Sequence, residues 1–425
     1  MLGGTALTAS AMRARTIVAS ASWRCGFRLR LDSQADVVTS SSVTHCATRG
    51  SASGVADNVA AVMVLDRRAL NRALLARQLL LQRHDMPVAD TLEHLVGLQA
   101  QEPLEPYVGL WSRLAGFQPP ALAELLLSRR AVRTLLMRRT LHLVTARDCL
   151  ALRPVHQAML VSRMWSTLRR VLPGVGLDEL ARLGRPLFEE RPRMLTEAAR
   201  AIADRWPGVE PRSMGDALST LVPLVQVPPR GVWGERGAAY NTTIETWLGR
   251  PLEPESPATV DALVLRYLAA YGPAASADIR AWSGRSGLRE SVQRLRPSLR
   301  TFRDERGREL LDVPDGALPD PETPAPPRFL PAFDNAVLGY DDRSRVIDTE
   351  HRGLSVTGAR FLLVDGRVVG TWAVTAEDGA ATLQITPLRA LTTPERDAVV
   401  AEGESLLTMF QPEPRRANRV MITDT

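Results

Sequence analysis

The chain has 425 residues, 45% of them hydrophobic and 24% charged, with a net charge of +6. Those values fit a globular protein of roughly two to four domains. No stretch approaches the ~18–20 consecutive apolar residues of a membrane span, and a charge of this size permits an anionic partner without requiring one.

All 53 basic side chains are arginine, and lysine is absent. With so much alanine, leucine and proline, this reads as the coding bias of a GC-rich bacterial genome. Cys25 and Cys46 fall early, Cys149 stands alone, and the six histidines are scattered. Neither a disulfide framework nor a clustered metal site is on offer. The expectation is a protein without metal or cofactor in a reducing cytoplasm.

Met1 to Ala61 is rich in Ser, Ala and Thr. It carries Arg13, Arg15, Arg24, Arg28, Arg30 and Arg49 against Asp32, Asp36 and Asp57, which accounts for +3 of the total. Its composition resembles a transit peptide, while a translation start near Met63 explains it more simply. On either reading, residues 1–62 are an extension expected to be disordered and outside the fold.

From Leu65 to Arg83, leucines at three- and four-residue spacing predict an amphipathic helix with a buried face. Asp90 with Glu93 suggests a capping box opening a second helix to about Leu98. Pro106 suits the first turn of a third helix, through Leu114, and "PALAELLLSRR" makes a fourth. "AVRTLLMRRTLHLVTA" then changes to β-branched and apolar residues either side of Arg138 and Arg139, a predicted hairpin. Short helices followed by a two-stranded wing outline a winged helix.

The outline recurs. "LTEAARAIADRWPG" is helical, and "LVPLVQVPPRGVWGERGAAYN" follows with strand-like runs. "TVDALVLRYLAAYGPAASADIRAWSG" holds two helices joined at Gly272-Pro273, then "LRTFRDERGRELLDVP" forms a hairpin turning at Glu305–Gly307. After a Pro-rich linker, "FLLVDGRVVGTWAV" is a hairpin around Asp365-Gly366 and "ATLQITPL" a further strand, so the last region reads as β-rich. Trp282 and Trp372 are expected in the core.

Six stretches in this order, "LVGLQAQEPLEPYVGLW", "RRTLHLV", "LVQVPPRGVWG", "YLAAYGPAASADIRAWSG", "FLPAFDNAVLGYDDRSRV" and "DGRVVGTW", resemble the winged-helix DNA-binding family that contains the AlkZ-type DNA glycosylases. The resemblance runs from about Met63 to the C-terminus. It implies an α+β chain of three tandem winged-helix units and a small C-terminal β-barrel, in a C-shaped body around duplex DNA. The boundaries are 63–150, 151–255 and 256–315, a linker at 316–328, and the barrel at 329–425. It also implies removal of alkylated purines, in some members including those in interstrand crosslinks. The partner is then duplex DNA carrying such lesions, with no membrane and a monomeric enzyme in the bacterial nucleoid.

The family's catalytic signature resembles Gln-hydrophobic-Gln, matched by Gln99-Ala100-Gln101, so Gln99 and Gln101 are the candidate catalytic pair. Residues i and i+2 point the same way only in extended backbone; on a helix they diverge by about 200°. The chain must therefore leave the helix near Leu98, and Glu102-Pro103 favours that. A ring-alkylated purine already carries positive charge and leaves as a neutral base without a general acid. What remains is to hold a water at the anomeric carbon, which amides can do by hydrogen bonds.

Arg133, Arg138, Arg139 and His142 on the first wing are candidate DNA contacts, the arginines to phosphates. The alternative is a solvated wing face. Relatives look to have glycine where Arg139 stands, which bears on the wing's turn because glycine tolerates positive φ. Asp334 and Asn335 either border the DNA channel or form an Asx turn. A regulator or architectural DNA-binding protein remains the alternative to an enzyme, although no dimerisation segment of the kind regulators use is evident. A metal-dependent nuclease lacks an acidic cluster.

Overall fold

Leucine periodicity after Met63 does build a helix, Arg67–Arg77, shorter than its pattern suggests. The Asp66 carboxylate caps it by accepting from the Ala69 N–H at 2.7 Å. Leu70, Leu74 and Leu75 form its buried face. The computed structural model describes residues 63–377, 379–413 and 416–423. Both readings of residues 1–62 lie outside the described residues.

The second helix is Val88–His94, four residues short of the expected end. Asp90 sits inside its first turn rather than at the cap, which is Pro87. The chain leaves this helix through two left-handed residues, Val96 at φ +56° and Gly97 at φ +86°. A Cβ on Gly97 would lie 2.6 Å from Val144 Cγ1, so glycine is required there by conformation and by space. Helix three runs Glu105–Trp111, with Pro106 in its first turn, and helix four Pro119–Leu127.

The hairpin of Ala131–Leu135 and Leu141–Thr145 forms as expected. It is the middle of a six-stranded sheet ordered Leu98–Gln99, Leu141–Thr145, Ala131–Leu135, Leu224–Gln226, Tyr240–Thr243 and Arg193–Met194. The pairs Arg133–Gln226 and Thr134–Val225 fuse two hairpins into one ladder. Val64–Leu65, Arg300–Asp304 and Glu309–Asp312 make a three-stranded sheet. Helices Ala146–Leu168 and Leu177–Glu190 are the long elements between.

The C-terminal region departs from the expected barrel. Its five strands, Arg328–Leu330, Phe361–Val364, Arg367–Glu377, Ala380–Pro387 and Arg419–Ile422, form an open sheet whose two end strands do not pair. Helix Thr393–Phe410 is the physical reason. It buries Val399, Leu406 and Leu407 with Leu383 and Ile385 of the sheet, so the apolar face is covered without rolling closed. Its signal was present: Thr392 and Glu395 form a capping box.

The core explains how distant segments reach one place. Val144, Leu136 and Met137 of the first hairpin share a cluster with Tyr267, Tyr271, Trp282, Tyr340 and Phe361. Tyr267 and Tyr271 stack at 5.0 Å, and Trp282 is fully buried beside both. Trp372, 5% exposed, packs as expected, and its indole N–H donates to the Leu330 carbonyl. The Tyr271 hydroxyl donates to the Leu95 carbonyl, one of the unpaired carbonyls at the end of helix Val88–His94. No helix among the described residues is long and apolar enough to cross a membrane.

Candidate active site

Because helix Val88–His94 ends at a double left-handed turn, the chain is extended by Leu98. Leu98 and Gln99 pair antiparallel with Leu143 and His142. The Ala100 N–H donates to the Leu141 carbonyl at 2.8 Å, which carries the extended course as far as Ala100, and the chain bends at Gln101. The backbone that a shared glutamine site needs is therefore present. Ala100 is fully buried against the apolar cluster, which accounts for a small residue between the two amides.

The glutamines differ in setting. Gln99 is 8% exposed and its Oε1 accepts from Arg138 Nη2 at 2.7 Å. Gln101 is exposed, and its Oε1 accepts only a long 3.3 Å contact from the Leu141 N–H. Arg138 also donates to Asn335 Oδ1 at 2.8 Å and to the Trp282 carbonyl at 2.7 Å. The site thus joins the motif strand, the hairpin tip, helix Ser276–Ser283 and the start of helix Asn335–Leu338.

The wing arginines are not a solvated face. Arg133 is 1% exposed, and one guanidinium nitrogen donates to the Ala100 carbonyl at 2.7 Å, pinning the backbone between the glutamines. Arg139 turns to Asp216 at 2.7 Å and to Thr220 at 3.1 Å. Arg138 and Arg139 take φ of +57° and +62°, the conformation for which glycine is the usual residue. The turn closes with arginine because both side chains are anchored, and an anchored network can hold such strain. Burial pushes the Arg133 and Arg138 guanidiniums down to about 10, so both stay charged at neutral pH.

His142 is fully buried opposite Gln99. Its Nδ1 contacts the Thr140 carbonyl at 3.0 Å, which makes Nδ1 the protonated nitrogen and leaves Nε2 as a lone pair without a protein partner. Burial, then the Arg138 charge, lowers its pKa to about 3, so it is neutral at working pH and is no general acid.

Asp334 and Asn335 part company. Asp334 caps helix Asn335–Leu338, accepting from the Ala336 N–H, and makes a buried two-pronged ion pair with Arg113 at 2.8 and 2.9 Å. Asn335 reaches the site through Arg138, and its Nδ2, buried, has no protein partner. Sequence reasoning missed Arg113, Tyr271 and the Trp282 carbonyl. A carboxylate inside the apolar run "FLPAFDNAVLGY" signals a buried cation partner, but not which one.

Neutral amides and an enclosed guanidinium act by hydrogen bonding rather than by proton transfer. A family profile described as DNA glycosylase AlkZ-like matches residues 92–409, well over half of the chain. Among solved structures, Streptomyces sahachiroi DNA glycosylase AlkZ is similar with a TM-score of 0.68 and 22% identity, over 84% of this chain and 100% of that one. At that identity the likeness speaks for the fold alone. No curated protein sequence matches. The class is thereby set: an enzyme of DNA repair that hydrolyses N-glycosidic bonds. Within it, the chain belongs to the AlkZ-like DNA glycosylase family.

Proposed function

We propose that the protein is a monofunctional DNA glycosylase that excises purines alkylated on a ring nitrogen, unhooks interstrand crosslinks built from such bases, and positions its water with Gln99 and Gln101. The observation that carries this reading is the extended strand at Leu98–Gln99, continued by the Ala100 ladder bond, since only extended backbone aims residues i and i+2 to one side. Neutral amides are weak bases, so the pair suits bases that depart without help. His142, neutral down to about 3, adds no acid, and a cationic base needs none.

The same reading takes residues 63–150, 151–255 and 256–315 as tandem winged-helix units, each ending in one of the hairpins described, and the enzyme as a monomer working on duplex DNA in the nucleoid. A duplex carrying one 7-methylguanine, incubated with the full chain and then cleaved with alkali, tests the chemistry. We expect abasic-site formation by the wild type and a loss of about 100-fold or more in the Gln99→Ala, Gln101→Ala double variant. Equal excision by both would overturn the glutamine roles. Tight binding without excision, there and on a crosslinked duplex, would overturn the substrate class.

A further inference from the structure

We infer that Arg138 is a positioning residue that locks the Gln99 amide with its NH2 group toward the substrate and, with Asn335, divides the work of the two glutamines. The inference rests on the glutamine reading above and extends it to residues outside the motif.

Orientation follows from donor chemistry. A guanidinium has five N–H donors and no acceptor, so the Gln99 atom 2.7 Å from Arg138 Nη2 must be the amide oxygen. The usual ambiguity between amide oxygen and nitrogen does not arise. Asn335 obeys the same constraint: its Oδ1, 2.8 Å from the same nitrogen, faces Arg138, which turns its Nδ2 away. That Nδ2 is buried and has no protein partner, on a residue 4% exposed. Two amides are thus held with their carbonyls toward one cation: Gln99 turns its NH2 group to the site, and Asn335 turns its own away from Arg138, where it stays buried.

The hairpin tip is shaped to hold this cation inside. Arg138 has φ +57° and ψ +12°, and its backbone seats against Gly284, where a Cβ would stand 3.0 Å from Arg138 Cα. Its three acceptors, Gln99, Asn335 and the Trp282 carbonyl, are all neutral. No carboxylate among the described residues forms an ion pair with it. A half-buried cation without an acid costs stability that an apolar side chain would spare, and its left-handed backbone adds a cost that glycine would spare. Locking the amides is what that cost obtains. Three of its five N–H groups are taken by protein acceptors, so the guanidinium faces inward.

Division of labour follows. Gln99, its oxygen held by Arg138, turns donors to the site, whereas Gln101, exposed and held by one long contact, keeps carbonyl capacity to accept. A water between them donates one hydrogen to Gln101 Oε1 and accepts from Gln99 Nε2 on one lone pair. The other lone pair is left to bond to the anomeric carbon. As that bond forms, the carbon–nitrogen bond breaks and its electron pair neutralises the cationic base. The water's proton passes to solvent along the Gln101 hydrogen bond.

The test uses Arg138→Gly, which removes the side chain while accepting the left-handed backbone. We expect the single-turnover excision rate at saturating protein to fall about 100-fold, duplex Kd to stay within about twofold, and millimolar methylguanidine, but not methylammonium, to restore part of the rate. Gln99→Glu should lose activity while Gln101→Glu keeps it. Selective 15N-glutamine labelling gives a readout independent of catalysis: the Gln99 side-chain amide pair, assigned by its loss in Gln99→Ala, should shift in Arg138→Gly. An unchanged rate, a raised Kd with an unchanged rate, or an unmoved amide resonance would each overturn the proposal. Failure of the glutamine reading looks different: Gln101→Ala would then excise as the wild type does, whatever Arg138→Gly does.

Discussion

Asp334 lies in the stretch "FLPAFDNAVLGY", where sequence alone allowed either a DNA-facing carboxylate or a turn. Its geometry is that of an internal support: the side chains of Arg113 and Asp334 are 0% and 1% exposed, and the carboxylate also caps Asn335–Leu338. Asp334→Ala removes the countercharge of a buried guanidinium and a helix cap together. Breaking such a pair costs about 3–5 kcal/mol and a cap about 1 kcal/mol. We expect about 4 kcal/mol or more, a large share of a stability of ~5–15 kcal/mol. Asp334→Asn keeps the cap oxygen and should lose slightly less. Equilibrium urea unfolding followed by tryptophan fluorescence measures the loss, and anisotropy on a labelled duplex at fixed salt measures binding. Replacing both partners, Arg113→Met with Asp334→Leu, should recover part of the deficit, because no uncompensated charge is left inside. An Asp334→Ala protein with an unchanged midpoint and weakened duplex binding would refute the reasoning and return Asp334 to the DNA channel.

Acid should destabilise the protein through two buried rings. Burial lowers His142 and His156 from 6.5 to about 3 and about 4. Below the ordinary value the unfolded chain takes up protons that the folded chain refuses. Their contribution is therefore full above about pH 6.5 and is lost as pH falls toward the folded values, about 2 kcal/mol per ring at pH 5. Melting temperatures at pH 7 and pH 5 should differ less in His156→Leu than in the wild type; equal drops would count against it. Arg139→Gly should leave the melting temperature unchanged or raise it by a degree or two in a thermal-shift assay. Relief at φ +62°, worth about 1 kcal/mol, offsets a partly exposed Asp216 pair worth about 0–1 kcal/mol. A clear loss would show that the Asp216 and Thr220 contacts matter more than the strain.

The parts legible in sequence were those written locally. Asp365-Gly366 and Glu305–Gly307 turn their hairpins because the turn chemistry sits in the turn. The extended course of the motif could be read from Glu102-Pro103 and the demand that two glutamines share a side, although the helix yields sooner, at Val96 and Gly97. What stayed hidden depends on partners far along the chain. Arg138 meets Asn335 across 197 residues and Arg113 meets Asp334 across 221, and no local pattern encodes either meeting. Arg138 looks like a surface cation in a linear pattern and turns inward only once Trp282 and Asn335 arrive. The barrel that the resemblance implied gives way for a different reason: the capped helix Thr393–Phe410, just beyond the strands, covers the apolar face of the sheet.

Arg133 and Arg153 are each 1% exposed and bond to backbone carbonyls, of Ala100 and Thr220, and Arg138, half-buried, turns its guanidinium onto three neutral acceptors. All three count toward the formal charge of +6. Enclosed cations hold no exchangeable atmosphere of small ions, and when DNA docks they displace none from its backbone. The slope of log affinity against log salt, about 0.9 per neutralised phosphate on B-DNA, will therefore register only arginines on the outer surface. For this enzyme the slope should be shallower than its arginine content suggests, with the missing charge spent on holding amides and carbonyls in place.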